Sequence, residues 1–547
     1  MTGLPIPDVR VTVSALAALS YIYWSLRPKP IKGIPHNPIK SILGDIPEIR
    51  RFVAEKHCRA FDYFAFLTER HGPITQVFLG SKTFLILGDL KEAERILIQE
   101  KQVDSSPEMR ALSIPVMPKS ILALPANEMW KRHRRIMGPS MHRRYLSRMT
   151  HHIVDVADAL VRLWDAKIDL AGNNSFSARS DLKLATMHAP ATILTGSKVE
   201  SLDLTLSSMR SPTFDKSGVA NFHHLSQPTL VQAFTTLMAG AHLGRQIPFR
   251  SLAIPMVLWF YPGWTKSRNT VRSYLQDALE SSIKREDVAT TEGSLLTDAD
   301  CVIDMVVQQE RREGVEIFER EELLDELCLY VLAGQDTTSA ALMWFVKYMP
   351  QNMEIQQLLH EEVCSQLPDP HAIPLEAAED VDRMPVLEAV VTETLRCAKV
   401  ASGVIRRTLA DMVILGKHIP KGHRSTLYIA KYTKMATGTD IMVVSGPIAK
   451  SEVEWGPDAM AWRPQRWLRP DGSFNPDAGY GGHPFGMGHR SCFGQRLAVA
   501  QLKIFIVAMS RAFVFKSVAP AVDSWDSGAE ITNMPKECYV SLERWEN

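Results

Sequence analysis

An α-rich α+β fold is the class this sequence predicts, and three observations predict it. Helical periodicity runs through long stretches, among them residues 91–100, 142–167, 272–285 and 322–349. Extended signals are few and short, at 75–78, 83–87, 412–415 and 440–444. Composition is ordinary for a globular chain: of 547 residues 45% are apolar and 22% charged, enough apolar material for a sizeable core. Length alone would suggest about three or four domains, but no internal repeat or low-complexity segment divides the chain.

From the N-terminus, residues 11–26 form an uncharged apolar run followed by Arg27, Lys29 and Lys32. A bilayer span takes about 20 apolar residues, so this run is short for one. A cleaved signal peptide needs a basic start and a small-residue cleavage site, which the run lacks. A buried core helix is one alternative. A signal anchor is the expectation for 1–27, with the cations after it keeping the rest of the chain on the cytoplasmic side. Pro28, Pro30, Gly33, Pro35 and Pro38 break helix propagation, so 28–44 reads as a loop or a stiff hinge before a body spanning 45–547. Residues 247–264 are apolar and aromatic and carry Pro248, Pro255 and Pro262. They read as a buried loop or as a second surface that dips into a membrane interface.

Charge excludes one class of function. Lys and Arg number 62 against 61 Asp and Glu, a net charge of +1, so the basic excess of a nucleic-acid binder is missing. Seven cysteines, an odd count with no CxxC pair, argue against a disulfide framework or a zinc site of usual spacing. They fit a reducing compartment and leave room for one cysteine with a chemical task.

The candidate is Cys492, in Phe485-Gly486-Met487-Gly488-His489-Arg490-Ser491-Cys492-Phe493-Gly494. Read by its residues, this is a Gly-rich turn that lets backbone N–H groups approach a sulfur. The helical segment after Gly494 favours an anion at its start, and Arg490 stands ready to pair with a carboxylate. A buried structural cysteine is the plainer alternative. Glu393 and Arg396, at i,i+3 on a helical stretch, share a face and can pair. The segment 322–349 is long and apolar enough to suggest a span, but Gly334, Gln335, Asp336, Thr337 and Thr338 at its centre favour a buried helix passing a polar group. Asp and Thr also favour helix starts, so a cap is the plain reading there. The basic run 131–135 is by itself a solvated face.

Together these residues resemble the cytochrome P450 family. The Cys492 segment follows its FxxGxRxCxG signature, Glu393-Thr394-Leu395-Arg396 its ExxR, Ala333-Gly334-Gln335-Asp336-Thr337-Thr338 its oxygen-activating helix, and Trp130-Lys131-Arg132-His133-Arg134 its WxxxR. The resemblance covers nearly the whole chain and looks like the microsomal, fungal type. It implies the P450 fold, a helical bundle around haem b with small sheets. Cys492 would be the iron ligand, as in the thiolate-ligated haem of P450s, with Phe485 beside it. Trp130, Arg134, Arg490 and Arg406 would hold the propionates, Arg407 competing with Arg406 for that part. Gly334 would let its helix approach the haem, and Asp336 and Thr337 would deliver protons. Glu393, Arg396 and Arg466, the last in Trp462-Arg463-Pro464-Gln465-Arg466-Trp467, would form a structural cluster.

The activity implied is insertion of one oxygen atom from O2 into a lipophilic substrate, of terpenoid or polyketide kind, in secondary metabolism. Electrons would come from NADPH through a separate cytochrome P450 reductase, since no GxGxxG fingerprint appears. The location implied is the endoplasmic reticulum membrane, the catalytic body in the cytosol. An isomerase or peroxide-rearranging enzyme needing no reductase, and a non-catalytic haem-binding protein, are the alternatives. Substrate contacts are expected at 104–125, before Thr265, at 331–337 and at 399–405. One departure from the family is His423 to Gly438, between segments that normally abut, which reads as an extra loop or an error in the gene model.

Overall fold

The computed structural model describes scattered positions between 14 and 26, then residues 27–198, 201–222, 229–246, 250–291, 299–367, 381, 383–421, 438–478, 484–528 and 532–546. Most of the run 11–26 and all but the last residue of the insertion 423–438 lie outside them. Contacts divide the chain into two compact units. One holds Met1–Ser106, Ser402–Ser451 and Met487–His489, the other Pro107–Ala401, Glu452–Gly486 and Arg490–Asn547.

The first unit is built on a five-stranded sheet, ordered Ile74–Leu79, Lys82–Leu87, Asp440–Val444, Gly403–Thr408, Val103–Ser105. The first two strands form an antiparallel hairpin, Leu79 opposite Lys82, and Gly80 takes the positive φ that its turn requires. Asp440–Val444 runs parallel to Lys82–Leu87, Asp440 opposite Phe84. All five of its residues are buried, as expected of a central strand covered on both faces. Leu85, Leu87, Ile96, Ile414, Ile441 and Met487 form the core of this unit. The expected strands 75–78, 83–87, 412–415 and 440–444 all appear, within one residue at each end. Gly403–Thr408 was not legible, because Arg406 and Arg407 sit mid-strand and mask its apolar alternation.

The Pro-rich stretch is tied to this sheet. Gln76, wholly buried, accepts from the Ile31 N–H at 2.8 Å and donates to the carbonyls of Ile31 and Ile34 at 3.0 and 2.8 Å. The Thr83 hydroxyl donates to the Lys29 carbonyl at 2.9 Å. A buried amide side chain whose donors and acceptor are met fixes its partners firmly.

The second unit is helical, with a small sheet joining Phe513–Lys516, Tyr539–Arg544, Phe176–Ser177, Ala220–Asn221 and Thr213–Phe214. Its central element is the Arg320–Tyr348 helix, buried over most of its length and packed on the Arg179–Thr195 helix. This is the buried helix that the polar centre of 322–349 implied. Its start is capped by Glu319 and Glu322. The expected helices 142–167 and 272–285 extend to Arg143–Ala171 and Trp264–Thr291. Residues 91–100 divide into a short α-helix, Leu90–Glu94, and a π-helical turn, Arg95–Gln99. The stretch 247–264, expected as a loop, contains the helix Arg250–Phe260. Met256, Trp259 and Phe260 on it are 63%, 76% and 78% exposed. Among the described residues no helix is long and apolar enough to cross a membrane.

Candidate active site

The Cys492 loop closes on itself. The Cys492 N–H donates to the Phe485 carbonyl at 2.8 Å, so the loop returns its last residue to its first. Gly494 caps the Gln495–Ala512 helix, whose Ala498 N–H donates to the Gly494 carbonyl at 2.9 Å. The sulfur therefore stands at a helix start, where an anion is favoured. Burial pushes the Cys492 thiol up, while the Gly494 N–H and the Arg134 charge pull it down. Cys492 is itself exposed.

Beyond its exposed first two residues, the Arg320–Tyr348 helix is buried or half-buried except at Ala333 and Thr337, which are exposed. At i,i+4 they share one face. The Thr337 hydroxyl donates to the Ala333 carbonyl at 2.8 Å. Gly334, three residues before Thr337 and half-buried, borders the same face. A Cβ there would meet Pro190 of the neighbouring helix at 3.4 Å, an ordinary contact distance. Asp336 is buried, and its carboxylate accepts from the Thr532 hydroxyl at 2.9 Å. The acid and the hydroxyl expected to act together are thus each held by a hydrogen bond, Asp336 from Thr532 and Thr337 to Ala333.

Trp130 and Arg134 come together as the WxxxR spacing implied. The Glu128–Met137 helix is capped by Asn127, whose side chain accepts from the Trp130 N–H at 2.9 Å. The Arg134 guanidinium lies 5.3 Å from the Trp130 ring centre and 5.3 Å from that of Phe493. The Arg490 guanidinium lies 4.4 Å from the same indole. Arg134 also donates to the Ser491 carbonyl at 3.3 Å. Two guanidinium groups beside one ring repel each other, and the desolvation of Arg134 is unfavourable to its charge. An anion beside them relieves both. Arg406 lies in the first unit, buried on Gly403–Thr408. Its neighbour Arg407 donates to Asp440 at 2.9 Å.

Glu393 is the best-supported side chain of the set. Arg396 donates to both its oxygens at 2.8 and 2.7 Å, and Arg466 to one at 2.9 Å. The Arg463 N–H and the Trp467 indole N–H each add a bond of 2.9 Å. Burial alone would raise its pKa, but Arg396 and these donors outweigh it and hold the carboxyl below its ordinary value. Sequence reasoning found the three charged members and missed Trp467. The paired tryptophans flanking Arg463-Pro464-Gln465-Arg466 were the available signal.

This donor set fits the haem that the resemblance implies. A thiol at a helix start suits a metal that draws off its proton. Arg134 and Arg490, gathered at one indole, suit two carboxylates of a planar ligand. Small residues and a hydroxyl on the open face of the central helix leave room for it.

The sequence model of the cytochrome P450 family matches residues 35–541. Among curated proteins the chain is similar to the cytochrome P450 monooxygenase GME11363 of Pestalotiopsis microspora, 27% identical over 97% of each chain. It is similar to the cytochrome P450 monooxygenase TRI13 of Fusarium sporotrichioides, 28% identical over 96% of this chain and 97% of that one. It is also similar to the cytochrome P450 monooxygenase xilC of Penicillium rubens, 26% identical over 96% and 94%.

Proposed function

Since the chain belongs to the cytochrome P450 family, we propose that it is a haem-thiolate monooxygenase that inserts one atom of O2 into a lipophilic substrate of fungal secondary metabolism. The observation that carries this reading is the exposed Cys492 thiol, set between the Gly494 N–H and Arg134 at a helix start. When bound, haem b supplies the iron at which O2 is reduced and split. Cys492 gives its sulfur to that iron as thiolate, the metal charge completing a deprotonation that burial opposes. Arg134, Arg490 and Trp130 would hold the propionates. Thr337 Oγ1, whose hydrogen is given to Ala333, is left to accept a hydrogen bond from a water that carries the proton, and Asp336 is the acid that resupplies that water.

NADPH–cytochrome P450 reductase supplies the electrons. The run 11–26 anchors the protein in the endoplasmic reticulum membrane with the catalytic body in the cytosol, and the exposed Met256, Trp259 and Phe260 rest in the same interface.

The test is spectroscopic and then catalytic. The reduced protein with carbon monoxide is expected to give the red-shifted Soret band of a sulfur-ligated haem, and Cys492→Ala to lose it. A band that persists in Cys492→Ala refutes the assignment. Reconstitution with reductase, NADPH and extracts of a gene-deleted host, where the substrate accumulates, should yield product only when NADPH is present. Turnover without NADPH would instead mark a peroxide-rearranging enzyme. Thr337→Ala is expected to release more peroxide per NADPH consumed.

A further inference from the structure

Outside the site just described, a buried cluster of titratable side chains lies at the start of the Arg320–Tyr348 helix. His133 is wholly buried and Glu326 nearly so, with the His133 Nδ1 and the Glu326 carboxylate 2.7 Å apart. The His133 Nε2 lies 3.4 Å from Glu322, which also pairs with Arg132. Burial raises the Glu326 carboxyl, and hydrogen bonding and charge from His133 offset part of that. Buried ionic clusters are rarely the most stabilising way to fill a core, so a positional task is the question to ask of this one.

The task is visible in what else the carboxylates hold. Glu326 accepts from the Ile121 backbone N–H at 2.6 Å, and neighbouring Asp325 accepts from the Lys119 N–H at 2.8 Å. Between these points the chain makes a tight turn, the Ala123 and Leu124 N–H groups donating to the Ser120 carbonyl at 2.9 and 3.0 Å. The opposite edge of this turn faces Arg490, which donates to the carbonyls of Ile121 and Leu124 at 3.3 and 3.1 Å. Ile121 is thus gripped on its N–H side by Glu326 and on its carbonyl side by Arg490. His133, meanwhile, joins Glu326 to the helix that carries Trp130 and Arg134.

We propose that Glu326 is a positioning residue for the cofactor: by fixing the 119–124 turn from behind, it sets the two carbonyls that aim Arg490 at a haem propionate. Glu326 touches no haem itself. The inference rests on the reading of Arg490 as a propionate ligand, and partners of cofactor ligands change affinity about 10–100-fold when removed.

The test uses the full-length haem-loaded protein and measures transfer of haem to excess apomyoglobin, which needs no substrate and no reductase. Arg490→Lys is expected to speed haem release, and Glu326→Ala to speed it about tenfold. Glu326→Gln, which keeps an acceptor for the Ile121 N–H, is expected to restore slow release. The double variant Glu326→Ala/Arg490→Lys is expected to release no faster than Arg490→Lys, because both act through one guanidinium. Should Glu326→Ala not fold, Glu326→Asp, which withdraws the carboxylate by one methylene, is expected to release haem faster than Glu326→Gln. Fast release in Arg490→Lys with wild-type release in the Glu326 variants would overturn the positioning role and leave the haem assignment standing. Additive effects in the double variant would overturn it too. Unchanged release in Arg490→Lys would overturn the propionate reading and this inference together.

Discussion

Gly488 and Gly494 look alike in the sequence and are held for different reasons. Gly488 has φ +69°, and a Cβ there would sit 1.9 Å from the Leu97 carbonyl oxygen. That clash is with backbone, so no rotamer relieves it, and the left-handed conformation adds about 1–2 kcal/mol. Gly494 has φ −86° and open space where a Cβ would go; its part is the N–H at the sulfur, which any residue but proline can supply. Gly488→Ala is expected to abolish haem incorporation and Gly494→Ala to keep it, read as Soret absorbance per protein. Glu393 makes a second prediction at this scale. Removing its charge leaves Arg396 and Arg466 buried without it, a loss of about 3–5 kcal/mol. Its folded pKa lies below the ordinary 4.5, so its contribution is full above that value and is lost as pH falls through the lowered one. The melting-temperature gap between wild type and Glu393→Gln should therefore be widest near neutrality and close in acid.

At the scale of elements, the oxygen-activating helix divides the legible from the illegible. Its existence, its burial and its polar centre could be read from residues 322–349, because period and composition report burial directly. Which way each side chain turns could not. Gly334 is set by Pro190 and Asp336 by Thr532, both far away in sequence. Gly334→Ala is expected to raise the melting temperature, because alanine gains up to about 1 kcal/mol over glycine in a helix and its Cβ would meet Pro190 at an ordinary contact distance. Loss of haem in that variant would support the cofactor role given to Gly334 by its motif. The Glu393 cluster was readable because its i,i+3 spacing is local. The Glu326–His133 pair, joining residues 193 positions apart, was not. The helix Arg250–Phe260 was hidden by Pro255 within it and by Pro248 and Pro262 on either side, which argue against a helix more strongly than an apolar run argues for one.

For the whole molecule, the resemblance carried most of the reading, since one cofactor explains motifs scattered from Trp130 to Cys492. Membrane association is the property that sequence and fold leave to experiment, and two regions are expected to share it. Deleting residues 1–27 should weaken flotation with liposomes without ending it. Adding Met256→Ser, Trp259→Ser and Phe260→Ser should reduce what is left by at least about tenfold, given about 1.5–3 kcal/mol for burying each large apolar side chain. Unaltered flotation in the combined variant would place the contact elsewhere.

The grip of Gln76 and Thr83 on Lys29, Ile31 and Ile34 has a mechanical corollary. Only three chain steps, through Arg27 and Pro28, separate Leu26, where the apolar run ends, from Lys29, where the first of these bonds is made. Fully stretched they reach about 10 Å. The protein is therefore on a short leash: whatever holds residues 11–26 also keeps the edge of the Ile74–Leu79 hairpin close by, and force on that tether passes straight into the sheet.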